Sequence, residues 1–214
     1  MLTDFQEQVA HLFLTMPEAA GYALAGGAAL VLQGLVDRDT KDLDFFSSVH
    51  GQAVPTTEAF LRTLATAGLH GDIVRSSPTF ARIRVHGADG DALLVEIGSD
   101  YRLADPVSSR VGPVLRSEEL AADKLLALYG RAAARDFVDV YRLAGIHGVD
   151  AMLGWAADKD PGLDRYQLAV AMNTMDRHPR REFAVDDETL TAMREFFAQL
   201  RADLVQASLE GPGR

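Results

Sequence analysis

Asp42 and Asp44 lie two residues apart in the run RDTKDLDFF at 38–46. In an extended strand successive side chains alternate faces, so both carboxylates should point one way with Phe46, while Leu43 and Phe45 point the other. Like charges held side by side are unfavourable unless a cation sits between them, and hard carboxylate oxygens suit Mg²⁺. Upstream, Gly26 and Gly27 stand where a short strand, residues 22–25, is predicted to turn into a helix beginning near Ala28. Glycines at such a turn let backbone N–H groups approach a phosphate, and the helix N-terminus adds positive partial charge. Carboxylates for a metal next to glycines for a phosphate point to metal-assisted transfer of a nucleotidyl group.

Other residues could join that chemistry. Glu96 is the only charge in the predicted strand 92–97, on the face of Ala92 and Leu94. It reads either as an edge residue facing solvent or as a third carboxylate for the metal. Lys124 has Leu120, Ala121, Ala127 and Leu128 as its helical neighbours three and four residues away. Either it snorkels out of that apolar stripe, or it meets an anion, for which a nucleotide triphosphate is the natural choice. Farther on, Arg135 with Asp139 and Asp139 with Arg142 have the spacing of ordinary surface salt bridges on a helix. One unbroken helix would hold Lys124 and Asp139 about 22 Å apart. If both serve one nucleotide the helix must break, and Gly130 is the place for the bend. The histidines (11, 50, 70, 86, 147 and 178) show no metal-ligand spacing and receive no role. No Ser-His-Asp set or Gly-x-Ser-x-Gly elbow is apparent.

The elements that must position these residues follow from periodicity. Residues 4–16 read as an amphipathic helix with Phe5, Val9, Leu12 and Phe13 on one face. A Pro/Thr-rich break at 54–57 precedes a helix at 58–67 that Gly68 closes. Strands 81–86 and 92–97 flank the turn GADGD and form a hairpin. Composition shifts between Pro106 and Pro113, and beyond it helices are predicted at 117–129, 132–144, 149–157, 163–175 and 187–208. The chain thus divides into an α/β domain at 1–112 and a helical domain at 113–214, and the terminal GPGR is expected to be disordered.

At 214 residues, with 48% hydrophobic and 24% charged residues, the composition is that of a soluble globular protein. Cysteine is absent, which excludes disulfides and thiolate chemistry. The N-terminal MLTDFQEQVAHLFL has no basic segment, and the uncharged run 21–36 is Gly-rich, includes Gln33 and is short for a span; both predict a cytoplasmic protein with no membrane contact. The formal net charge of −10 opposes non-specific nucleic-acid binding, but patches decide contact. DRHPRRE at 176–182, with Arg177, Arg180 and Arg181, is either a solvated loop or an RNA contact.

In this order and spacing, AGGAAL at 25–30, RDTKDLDFF at 38–46, ADKLLALYGR at 122–131 and RDFVDVYRL at 135–143 resemble one family. It is that of the AbiEii-like nucleotidyltransferase toxins of type IV toxin–antitoxin systems, the MenT-like toxins included, in the DNA polymerase β-like superfamily. The resemblance implies a bilobed protein, with an α/β polymerase β-like domain built on a mixed sheet followed by an all-helical domain. It implies that Asp42 and Asp44 hold two catalytic Mg²⁺ ions, with Mn²⁺ as a substitute, and that Lys124 contacts the nucleoside triphosphate. An aspartate of the last motif completes the site; distance from the lysine favours Asp139 over Asp136. Gly26, Gly27, Arg38, Thr40, Arg135 and Asp136 would line the nucleotide. Thr40 matches a hydroxyl residue that is phosphorylated in some relatives when the antitoxin silences the enzyme. The classical Gly-Ser is here Gly26-Gly27-Ala28, so a serine contact is missing, although the AbiEii branch often carries Gly-Gly. The acceptor implied is the 3′ end of tRNA, and a separately encoded antitoxin is the implied partner. Open alternatives are a protein- or antibiotic-modifying nucleotidyltransferase, a catalytically inactive nucleotide- or RNA-binding relative, and an Asp pair that merely caps a turn.

Overall fold

The computed structural model describes residues 1–87 and 90–210, in two compact units, Met1–Leu120 and Ala121–Arg214. The terminal GPGR, and Ala88 and Asp89 of the GADGD turn, lie outside the described residues.

In the first unit, helix α1 (Asp4–Thr15) starts at a capping box in which Thr3 and Gln6 satisfy each other's backbone N–H groups. Strand β1 (Tyr22–Ala25) runs directly into α2 (Gly26–Leu32), so this helix begins at the glycines rather than near Ala28. Strand β2 (Asp42–Ser47) carries the Asp pair. Helix α3 spans Ala53–Thr66 and takes in the expected Pro/Thr break. Pro55 is in its first turn, where the missing N–H has no helical acceptor anyway. It ends as expected at Gly68, which has φ +76. The Leu69 and Gly68 N–H groups return to the carbonyls of Leu64 and Ala65 at 2.9 and 3.1 Å.

The expected hairpin is β4 (Phe80–His86) with β5 (Ala92–Ser99), paired antiparallel. Three strands escape the sequence reading. They are β3 (His70–Ser77), β6 (Val107–Ser109) and β7 (Gly112–Val114). Strand β3 is an exposed edge with no apolar alternation, and the other two are three residues each, too short for a periodic signal. All seven strands form one mixed sheet in the order β3-β4-β5-β2-β1-β7-β6, in which β2 runs antiparallel to β1 and parallel to β5.

Alternation gives the sheet two unlike faces. Leu43, Phe45, Ile83, Val85, Val95 and Ile97 are buried on one of them. There the ring of Phe13 from α1 stacks on Phe45 at 4.0 Å and meets Phe60 of α3 edge-on at 5.1 Å. Leu61 and Leu64 of α3 lie so near Gly71 that a Cβ there would stand 2.7 Å from Leu61. The other face, with Asp42, Asp44, Phe46, Arg82 and Glu96, is half-buried.

Helix α4 (Ser117–Gly130) crosses the division between the units. After it come α5 (Ala134–His147), α6 (Val149–Lys159), α7 (Arg165–Met172) and α8 (Asp187–Glu210), each within a few residues of its expected bounds. Helix α7 starts two residues later than the predicted 163 because Asp164 caps it, its Oδ1 accepting from the Gln167 N–H at 2.8 Å, and it ends at Met172 rather than 175. The core of the second unit gathers on Phe137, which meets Phe197 edge-on at 5.1 Å. Among the described residues no helix is long and apolar enough to cross a membrane.

Candidate active site

Asp42 and Asp44 share the half-buried face of β2, and Leu43 and Phe45 the buried one, as alternation requires. The glycines explain why the Asp pair sits where it does. Ala25 of β1 pairs with Asp44 of β2, so the β1–α2 turn passes directly over the Asp44 side chain. A Cβ on Gly26 would stand 1.8 Å from Asp44 Oδ2, and Gly26 has φ +59, so no other residue fits. A Cβ on Gly27 would come within 3.0 Å of both the Arg38 guanidinium and Thr40 Oγ1. The structure therefore brings Gly26, Gly27, Arg38, Thr40 and Asp44 into one cluster, and Asp42 joins it through Thr40, whose hydroxyl lies 3.2 Å from Asp42 Oδ1.

Gln6 is a positioning residue that sequence reasoning missed. Its Nε2 donates to the Thr40 carbonyl at 2.8 Å while its Oε1 accepts from the Thr3 N–H at 2.9 Å. A buried amide thus ties the start of α1 to the loop that presents Thr40. Glutamine three residues after a threonine reads as a capping box, and nothing local announces a contact 34 residues away.

Glu96 is the Cα partner of Asp44 across the parallel β2–β5 ladder, on the same face. Its Oε1 accepts from Arg82 Nε at 2.8 Å and from Nη2 at 2.5 Å. Among the described residues no group of three His, Cys, Asp or Glu has the arrangement of a metal site. Mg²⁺ commonly takes only one or two protein carboxylates and completes its shell with water and substrate phosphates. Two aspartates on one face beside the Gly26–Gly27 turn fit that ion; of the Glu96 oxygens, Oε1 is the one that Arg82 holds.

In the second unit α4 ends at Gly130, where the sequence analysis places the bend. Ala132 in the turn takes φ +46, unusual for a residue with a Cβ, and its carbonyl lies 2.7 Å from His178 Nε2. The chain reverses, and Lys124 Nζ comes 2.9 Å from Asp139 Oδ2, with the side chains only 8% and 0% exposed. Lys124 therefore does not snorkel, and Asp139 is no surface residue. Asp136, also fully buried, accepts from Arg131 Nε and Nη2 at 2.9 and 2.8 Å and from the Ala133 N–H at 3.2 Å, closing the N-terminus of α5. Arg135 is exposed in the first turn of α5. In the basic loop, Arg177 and Arg181 are exposed. Arg180 is spent on Asp187 and on the carbonyls of Phe183 and Val185, at 2.5, 2.9 and 2.6 Å.

No curated protein sequence matches the chain. Among solved structures it is similar to JHP933 from Helicobacter pylori, with TM-score 0.57 and 18% identity over 98% of this chain and 97% of that one. It is also similar to MenT4, a nucleotidyltransferase toxin from Mycobacterium tuberculosis H37Rv, with TM-score 0.52 and 15% identity over 94% of this chain and 82% of that one. At such identities the likeness speaks for a shared fold. The sequence itself matches the family described as nucleotidyl transferase AbiEii toxin, Type IV TA system, over residues 10–210. With that match across nearly its whole length, the chain belongs to the AbiEii nucleotidyltransferase toxin family.

Proposed function

We propose that the chain transfers a nucleoside monophosphate from an NTP to the 3′ end of tRNA, which blocks aminoacylation and stops translation. The observation that carries the reading is the fit of Gly26 to Asp44: left-handed backbone and a missing Cβ hold a carboxylate against a turn whose N–H groups suit a phosphate. Asp42 and Asp44 would hold Mg²⁺, two ions in the full site, with Mn²⁺ able to replace it. When bound there, the metal supplies Lewis acidity at the α-phosphate and neutralises charge on the departing pyrophosphate. The chain's own residues do the rest. Gly26 and Gly27 let backbone approach the phosphates, Arg38 adds charge beside them, and Lys124, Arg135 and Asp139 are assigned to the triphosphate and to fixing that lysine.

A separately encoded antitoxin follows from the family. Thr40 is the proposed point of control: a phosphoryl group on its hydroxyl would bring nearly two negative charges to Asp42 Oδ1, the oxygen it now touches at 3.2 Å. In the basic loop, Arg177 and Arg181 are the proposed RNA contacts, while Arg180 serves first to hold that loop to the start of α8.

The test is incorporation of each α-labelled NTP into a total tRNA pool with Mg²⁺, wild type against Asp42→Ala. Label in tRNA from wild type alone is expected, and it names the nucleotide. Label in protein or in a small molecule instead would replace the acceptor, and nucleotide binding without transfer to any acceptor would mark an inactive relative. Arg177→Glu with Arg181→Glu should weaken tRNA binding and spare nucleotide binding; unchanged RNA affinity removes both from the reading.

A further inference from the structure

Arginines on the half-buried sheet face form a strip that the chemistry above does not use. Strand register defines it. Asp44 of β2 stands beside Glu96 of β5, Glu96 opposite Arg82 of β4, and Arg82 opposite Arg75 of β3. Paired residues share a face, so these four make one row across four strands. At about 4.8 Å between strands, the Cα of Arg75 lies about 14 Å from that of Asp44. The neighbouring row runs from Asp42 through Leu94 to Arg84 and Asp72. On the other side Phe46, Gly98 and Phe80 align, and a Cβ on Gly98 would stand 2.9 Å from the Phe46 ring and 3.6 Å from that of Phe80.

The charges on this strip are not all neutralised within the protein. Arg82 shares its charge with Glu96. Arg75 and Arg84 are exposed, and among the described residues their side chains make no hydrogen bond or ion pair. The guanidinium carbons of Arg75 and Arg82 each lie 5.9 Å from the centroid of the Phe80 ring. Asp72, the acid facing Arg84, is bonded to His70 and His86 at 3.0 and 3.1 Å. Apart from the Asp pair at its end, the strip sets three arginines against Glu96 and Asp72, a local excess of one cation beside an aromatic ring on a chain of net charge −10.

We propose that this strip seats the single-stranded 3′ end of the acceptor nucleic acid, with phosphates against Arg75 and Arg84 and a base on Phe80, and delivers the terminal hydroxyl to Asp42 and Asp44. The inference rests on the reading of the acceptor as RNA. Guanidinium groups suit phosphate oxygens, and the Phe80 ring beside Arg75 takes a base of any sequence. An acidic peptide would satisfy the arginines and leave the ring without a counterpart.

The experiment measures binding of a short 5′-labelled single-stranded RNA to the full chain across a salt series, alongside tRNA labelling. For Arg75→Glu with Arg84→Glu, RNA affinity should fall about tenfold or more and the log–log salt slope should flatten by about 1.4, since each lost phosphate contact on a single strand is worth about 0.7. Phe80→Ala should weaken binding about fivefold or more, and Phe80→Trp should restore it. Binding of a fluorescent NTP and the thermal melt should not move. An unchanged affinity and salt slope in the double variant overturns the proposal, as does a wild type that binds no RNA, or a double variant that loses only the antitoxin. The two readings fail separately. If tRNA is labelled by the double variant with an unchanged KM, the strip falls and the function stands. If RNA binding needs Arg75 and Arg84 while label enters only protein or a small molecule, the function falls and the strip stands.

Discussion

The Asp42–Asp44 pair in the first unit and the Lys124–Asp139 pair in the second handle charge in opposite ways. The first places two like charges on a half-buried sheet face, within reach of a ligand. The second joins unlike charges in an almost dry interior, with the Lys124 ammonium against the Asp139 carboxylate. A low-dielectric interior strengthens attraction as much as it penalises an unpaired ion, so only a neutral pair tolerates full burial. Like charges must stay near water or a cation. The difference separates like charges kept near solvent from an ion pair held inside the fold.

Substitutions can break that contrast. Asp42→Ala should abolish nucleotidyl transfer, by about a thousandfold or more, yet change unfolding free energy by less than about 0.5 kcal/mol, as for other partly exposed positions. Parallel assays of label incorporation and urea unfolding check it; a large loss of stability would mean that the pair is structural. Asp139→Ala should do the reverse first, destabilising by about 3 to 5 kcal/mol because it strands the Lys124 ammonium in the interior. Lys124→Met combined with Asp139→Leu should recover most of that stability without recovering transfer, and recovered activity would remove the pair from the proposed nucleotide site.

Gly26→Ala sharpens the comparison at the border between fold and site. Left-handed backbone at a residue with a Cβ costs about 1 to 2 kcal/mol, and the added carbon must displace the Asp44 carboxylate. Activity should therefore fall far more than the melting temperature does, whereas Gly34→Ala, also at positive φ but with open space around it, should lose stability alone. The smallest effect is expected where an exposed pair does nothing but fasten: Arg110 bonds Glu7 at 2.6 and 3.1 Å and holds its carboxyl below the usual range. A lowered carboxyl pKa stabilises the fold above the unfolded-state value and loses that contribution as the pH falls through the folded one. Arg110→Ala should cost under about 1 kcal/mol near neutral pH, and the difference from wild type should vanish in acid, read from melts across pH.

Several structural features were legible because local rules decide them. The Asp pair on one strand face follows from a period of two, and the Gly68 stop from glycine's freedom at positive φ. The five helices after Pro113 follow from their periodicity and punctuation. The break at Gly130 was legible only conditionally, from the length of a helix set against the reach of two side chains. Edge strand β3 was not, since an exposed edge has no apolar alternation to detect.

What the sequence alone determined is therefore the inventory and its local geometry: which residues could bind metal or phosphate, and on which face of which element. Tertiary structure decided the partners. It set Glu96 beside Asp44 yet gave it to Arg82, made Asp136 a helix cap and Asp139 the counter-ion of Lys124, joined Gln6 to Thr40, and aligned Arg75, Arg82 and Arg84 on one sheet face. Partnership across a sheet or between helices depends on register and on which charges must neutralise each other out of water. Both are set by long-range packing, to which spacing along the chain is blind.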